Sequence, residues 1–302
     1  MKILITGATG LVGNALTKLL LENGVVVHYL TTSQKKIVDK PNYHGFYWNT
    51  TNGFIDENAL MGVDAIVHLA GASVAKRWTS SYKQEIVESR TLTADLLFRA
   101  IKNHPNQVKH FVSASGVGVY RDSLTAIYSE GSTDLDNTFL SNVVEKWENS
   151  ADKFKQLGLK VCKLRTGIVL SNNGGAMVEM LKPIRFGLGA AFGSGKQVQS
   201  WIHIDDLVRM YFFAVQNQLE GTFNAVAPNP VSNQKLTSAL AKQRKKPLFL
   251  PNIPKFMINL LLGEMHQILF SSQNVSSKKF ENAGFRFDFA KVDEAIDDLL
   301  HH

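Results

Sequence analysis

A single cysteine, Cys162, in a chain of 302 residues leaves no partner for a disulfide and no thiolate set for a metal. Its setting in the alternating run KVCKL reads as a strand interior. Long apolar runs are missing too. The greasiest C-terminal stretch, FMINLLLGEMHQILF at 256–270, is broken by Gly263, Glu264 and His266, too short to span a bilayer, and reads as a buried or amphipathic helix. Internal repeats and low-complexity segments are lacking as well. The opening MKILITGATG predicts a strand before a glycine turn rather than a secretion signal, so a reducing, cytoplasmic setting is expected. Strong charge segregation is also scarce. The net charge of +7 is concentrated only in KQRKKP at 242–247, which reads as a solvated loop or helix end, so neither nucleic acid nor a membrane is expected as partner. A phosphate-bearing small ligand suits the basic balance equally well.

What is present is a chain with 44% hydrophobic residues, long enough to bury a sizeable core. Strand-length apolar runs recur with helical segments between them: KILIT (2–6), VVVHYL (25–30), AIVHLA (65–70), HFVSAS (110–115) and KVCKLR (160–165). This alternation predicts an α/β fold, a doubly wound, Rossmann-like parallel sheet wrapped by helices. After about residue 170 glycine-rich turns take over, NNGGAM (172–177) and RFGLGAAFGSGKQ (185–197), with a helical pattern from Val178 to Pro183 between them. WIHIDDLVRMYFFAV (201–215) and GTFNAVA (221–227) then resume strand or turn, helix and strand. The expected organisation is a dinucleotide-binding domain over 1–170, completed by 200–227. A smaller, mainly helical C-terminal substrate lobe takes 171–199 and 228–302, with GFRFDF (284–289) as a short extended piece.

Directly after the first strand stands TGATGLVG. Gly7 allows the tight turn, Gly10 lets the backbone approach a pyrophosphate, and Gly13 lets the following helix pack closely on the strand. The helix N-terminus adds unpaired N–H groups and positive potential. At the end of the second strand no Asp or Glu is available for ribose hydroxyls. The segment YLTTSQKK offers Thr32 and Ser33 as neutral donors with Lys35 and Lys36 nearby, which predicts NADP rather than NAD.

TGATGLVG, VDAIVHLAG, VSASGVGVY and WIHIDDL, in this order, resemble the extended short-chain dehydrogenase/reductase superfamily. More specifically, KRWTSSYKQEIVESR (76–90), FLSNVVEKWE (139–148), RTGIVLSNNGGAM (165–177), GSGKQVQSWIHIDD (193–206) and NAGFRFDF (282–289) resemble the epimerase-family proteins of atypical type that carry a C-terminal domain of unknown function. The resemblance spans nearly the whole chain. It implies that Gly7, Thr9, Gly10, Leu11, Val12 and Gly13 line a pyrophosphate, that Leu69, Ala70 and Gly71 flank the adenine side, and that Arg90 stands near the cofactor. Family members often end the second strand in Leu-Thr-Arg, and Leu30, Thr31 and Thr32 depart from that.

Related reductases use a Tyr to protonate the substrate oxygen and a Lys four residues later to lower its pKa, both on one helix face. Counting back from Trp147 and Glu148 puts Leu140 and Val144 in those places. None of the seven tyrosines has a Lys four positions on. Ser115 at the end of the fourth strand and Tyr120 close behind are the remaining candidates for catalysis, set against the plainer readings of a strand cap and a packed aromatic. Arg77, Trp78 and Lys83 follow the third strand, where loops line the cleft of a doubly wound sheet, and could hold an anionic or nucleotide-linked small molecule. Trp78 as a helix anchor with solvated cations is the alternative. His203, Asp205 and Asp206 read as a helix cap rather than a metal site, and no metal is expected. Two functions follow: an NADP-dependent oxidoreductase or epimerase-like enzyme without the usual pair, or a retired catalyst kept as a dinucleotide-binding sensor or partner protein. Substrate and oligomeric state are left open.

Overall fold

The computed structural model describes residues 1–301, and of the expected lobe only His302 lies outside it. Seven parallel strands form the central sheet: β1 (Lys2–Thr6), β2 (Val26–Thr31), β3 (Tyr43–Asn49), β4 (Ala65–His68), β5 (His110–Gly116), β6 (Lys160–Thr166) and β7 (Gly221–Ala225). Their spatial order is β7-β6-β5-β4-β1-β2-β3, with short antiparallel pieces at Asp39–Lys40 and Phe54–Ile55 on β3. The order reverses at β1, so a crevice opens there at the carboxyl ends of β1 and β4. Sequence periodicity located every strand except β3, YHGFYWN, where only Trp48 is fully buried. An edge strand half-open to solvent carries too weak an apolar signal to stand out.

Helices α1 (Leu11–Glu22) and α5 (Ile204–Gln216) cover one face, and α2 (Ser80–Asn103) and α3 (Phe139–Asp152) the other. The second face centres on Phe111 and Phe154, stacked with ring centroids 3.7 Å apart, over Leu4, Ile66 and Leu97. Thr79 and Thr138 cap α2 and α3 by accepting from Tyr82 N and Ser141 N, which fixes where each helix starts. The helical pattern seen at 178–183 belongs to α4 (Ala176–Arg185).

Beyond the sheet come α6 (Asn233–Gln243), α7 (Lys255–Leu262) and the C-terminal helix Val292–His301. Leu181, Leu236, Leu240 and Ile296 join Ile3, Leu16 and Leu207 in one continuous core, so α4, α6 and the C-terminal helix, but not α7, are built onto the α1 face of the sheet. The two C-terminal expectations, a short extended piece and a buried or amphipathic helix, meet different outcomes. The segment 284–289 has no ladder partner: the buried Asp206 carboxylate accepts from Asp288 N and Phe289 N at 3.0 and 2.9 Å, doing what a neighbouring strand would do. The stretch 256–270 is not one buried helix. It divides at Gly263, and α7 buries only Ile258.

Candidate functional site: a dinucleotide cleft with an apolar end

The cradle forms where β1 hands over to α1. Gly7 sits at φ +72°, and a Cβ there would press on the Leu69 backbone at 3.0 Å. A Cβ at Gly13 would run into the Gly7 carbonyl, so α1 can pack against the turn only because that position is bare. Gly10 is the N-cap and brings no side chain to satisfy the first N–H groups of α1. Those donors, flanked by Thr9, Leu11 and Val12, face outward with the positive end of the helix dipole, as a pyrophosphate requires.

Thr6 ties the second wall to the first. Its hydroxyl lies 2.8 Å from His68 Nδ1 and accepts from Leu69 N and Ala70 N, holding the turn that carries Leu69, Ala70 and Gly71. Burial drives the His68 pKa down to about 4, so this imidazole is a neutral structural link. Arg90 completes that wall. It is 7% exposed, donates to Ile86 O and Ala72 O, and lies over the Trp147 ring at 4.7 Å. Its guanidinium is packed so closely under Gly71 that a Cβ on that glycine would meet Arg90 Cζ at 3.0 Å. Burial lowers its pKa to about 10, still far above neutrality. Among the described residues no carboxylate pairs with it, and its Nε has no partner. A buried cation without a counter-ion is expensive unless an anion completes it.

At the adenosine end Thr32, Lys35 and Lys36 are exposed and Ser33 is half-buried, with Ser33 N donating to the Thr31 hydroxyl. Residues 32–36 contain no acid, so a 2′-phosphate meets no repulsion from this segment.

The other end of the cleft is different in kind. Gly116 and Gly118 face α3, where Cβ atoms built on them would lie 3.6 Å from Val144 Cγ2 and 3.7 Å from Leu140 Cβ. Leu140 and Val144 thus stand one turn apart on α3 against these glycines, two apolar side chains that cannot move a proton. Ser115 points elsewhere, donating to Glu148 Oε1 at 2.6 Å. Arg165 clamps the same carboxylate at 2.7 and 2.9 Å and reaches Tyr120 Oη at 2.9 Å, while Tyr120 donates to Asn224 Oδ1. Burial alone would raise the Glu148 pKa, but the Arg165 and Ser115 contacts hold it below the usual carboxylate range. Burial pushes the Tyr120 phenol up. The two hydroxyls expected to work on a substrate are therefore spent inside a buried network that joins β5, β6, α3 and β7.

The expected substrate grip changes similarly. Trp78 is buried, its Nε1–H donates to Val74 O at 3.0 Å, and its ring meets Phe139 edge-on at 5.1 Å, so it anchors the entry to α2 instead of offering a face to a ligand. Lys83 is neutralised by Glu264 at 2.5 Å. Arg77 stays exposed beside Gly263. The 263–268 segment accordingly closes over this side of the cleft, with Met265 and Ile268 packed on the Trp78 cluster.

A cavity of about 730 Å³ lies along the flank of α1, between Asn14, Lys18, Asn173, Asp205 and Asp298. His203, Asp205 and Asp298 offer ligand atoms within 4.8 Å of one another there. His203 Nδ1 accepts from Asp205 N at 3.1 Å and caps α5, which leaves the proton on Nε2, turned towards Asp298 Oδ2 at 3.3 Å. Nε2 itself makes no hydrogen bond, and Nδ1 is already taken by the cap of α5.

The fold and cradle define a dinucleotide-binding protein of the short-chain dehydrogenase/reductase type. The NAD dependent epimerase/dehydratase family matches residues 3–225, and a domain of unknown function, DUF1731, matches 253–299. An epimerase family protein of Staphylococcus saprophyticus is 36% identical over 299 residues, covering 99% of each chain. The human epimerase family protein SDR39U1, solved with NADPH, superposes with a TM-score of 0.86 at 31% identity and 99% of both chains. A nucleoside-diphosphate sugar epimerase from Corynebacterium glutamicum gives a TM-score of 0.78 at 33% identity, over 99% of this chain and 58% of that one. This chain belongs to the NAD-dependent epimerase/dehydratase family, as an epimerase-family protein of atypical type with the DUF1731 domain.

Sequence reasoning missed Glu148 and Arg165 as a pair. The signal was present, a Glu inside an amphipathic helix and an Arg inside an apolar strand, but only the fold brings residues 17 apart into contact across α3 and β6.

Proposed function

We propose that this protein binds NADP(H) in the cleft and holds it without a Tyr–Lys proton relay. The observation that carries this reading is Arg90, a buried guanidinium with no carboxylate partner beside the glycine cradle. Gly7, Thr9, Gly10, Leu11, Val12 and Gly13 would hold the pyrophosphate, with Leu69, Ala70 and Gly71 as the facing wall. Thr32, Ser33 and Lys35 would meet the adenosine ribose and its 2′-phosphate. The NADPH named for the human relative supports the same choice. When bound, the dinucleotide supplies hydride chemistry; Leu140 and Val144, against Gly118 and Gly116, supply an apolar wall at that end.

The geometry favours a dinucleotide-binding sensor or partner protein over an ordinary reductase. Ser115 and Tyr120 brace the wall by holding Glu148 and Arg165. A second reading, an epimerase-like or oxidoreductase activity on an anionic or nucleotide-linked small molecule, rests on exposed Arg77 at the cleft mouth and on the sugar epimerase among the similar structures. A reducing, cytoplasmic compartment suits both readings, since the lone Cys162 has no partner for a disulfide. Among the described residues no helix is long and apolar enough to cross a membrane.

Titration calorimetry with NADPH and NADH, coupled to nicotinamide absorbance against carbonyl and sugar-nucleotide panels, tests both. Binding of NADPH without turnover supports the first reading. Turnover with a sugar nucleotide establishes the second, and equal affinity for the two dinucleotides removes the NADP assignment.

A further inference from the structure

Helix α7 and the loop before it present an apolar surface that the rest of the chain leaves uncovered. Phe249 is 80% exposed, Phe256 72%, Leu260 84% and Leu261 71%, whereas ordinary surface aliphatics stand singly. Ile253 N donates to Ala191 O and Gly193 N to Ile253 O, so this loop is pinned to the fold instead of dangling from it. The charge around it is one-sided. From Gly221 to Gly263 there are six basic residues and no acidic one. Lys235 pairs with Asp293, but Lys242, Arg244, Lys245, Lys246 and Lys255 have no ion pair among the described residues.

We propose that α7 and the basic loop 242–250 form a docking surface for an anionic lipid surface, with Phe249, Phe256, Leu260 and Leu261 entering the headgroup boundary and Lys242, Lys245, Lys246 and Lys255 meeting lipid phosphates. An eight-residue helix with its apolar face outward, opened by Lys255 and preceded in the chain by the basic run at 242–246, suits lying on a bilayer and cannot span one. The charge decides among occupants. A second copy of this chain would bring the same uncompensated cations to the contact. A nucleic acid would use the cations but has nothing to bind Leu260 and Leu261. A solvated basic run and a buried or amphipathic helix left no membrane among the expected partners; the exposure of that helix supplies a role for one. The inference is independent of how the dinucleotide cleft is used.

Flotation of the full chain with vesicles tests it, comparing phosphatidylcholine alone with phosphatidylcholine containing phosphatidylglycerol. The expected result is binding to the anionic vesicles, about tenfold or more above the neutral ones, because each cation near such a surface adds attraction. Lys245→Glu/Lys246→Glu and Leu260→Ser/Leu261→Ser should each reduce it by about tenfold. An unchanged melting temperature and circular dichroism spectrum in both report an intact fold; if the apolar variant unfolds, the charge variant alone decides. Absence of binding to anionic vesicles overturns the proposal, as does binding that survives both variants. A concentration-dependent dimer that disappears in Leu260→Ser/Leu261→Ser would assign the face to a second copy and also overturn it.

Discussion

The two ends of the cleft treat their polar groups in opposite ways. At the cradle, the first N–H groups of α1 lack a side-chain cap and Arg90 lacks a counter-ion, so charge and donors are left over. Below the apolar end, Ser115, Tyr120, Arg165 and Glu148 answer one another completely. Beside the glycine turn an open buried cation can be completed by an anionic ligand, whereas the answered network is completed by the fold itself. Polar residue type cannot distinguish the two, since an Arg and a hydroxyl occur at both ends.

Breaking the satisfied end should cost most. Arg165→Met takes two hydrogen bonds from the buried Glu148 carboxylate and leaves it Ser115 and, at 3.8 Å, Lys163, so about 3 kcal/mol of stability should be lost in urea unfolding. Retained stability would mean that the network is looser than its distances indicate. The link behind the cradle should show itself through pH. The His68 pKa is about 4 in the fold against 6.5 ordinarily, so the unfolded chain takes up the proton first. Its contribution is complete above pH 6.5 and is lost as pH falls towards 4, about 3 kcal/mol over that window. His68→Asn should flatten the difference in unfolding free energy between pH 7 and 4.5, measured by denaturant titration.

The open end should respond in binding rather than in folding. Arg90→Met removes a buried, uncompensated charge while keeping bulk over Trp147, so NADPH affinity should fall about tenfold or more with the melting temperature held or raised. A loss of stability with affinity intact would make Arg90 another structural residue and erase the contrast between the ends. Ser115→Ala sharpens the comparison with the smallest change. Loss of its hydrogen bond to the Glu148 carboxylate should cost about 1.5 kcal/mol and leave NADPH affinity unchanged. If a turnover is found, a selective collapse of its rate in this variant would return Ser115 to a catalytic role.

The sequence by itself determined the parallel sheet, the glycine turn and the lack of any Tyr with a Lys four positions on. These are local facts: period-two apolar runs, three glycines in register after a strand, and a four-residue spacing counted along the chain. It also singled out Arg90, through the family resemblance. Only the tertiary structure decided what its polar residues are used for. Trp78 and Lys83 stand in a loop that the pattern allows to face substrate, yet Phe139 and Glu264, 61 and 181 residues away, claim them. The 256–270 stretch has the composition of a core helix, and the fold nevertheless leaves Leu260 and Leu261 outside because the sheet face is already filled by α1 and α5 and the helices packed with them. Hydrogen bonding and burial are properties of pairs brought together across the chain, and a one-dimensional pattern records the candidates without recording which partner reaches them first.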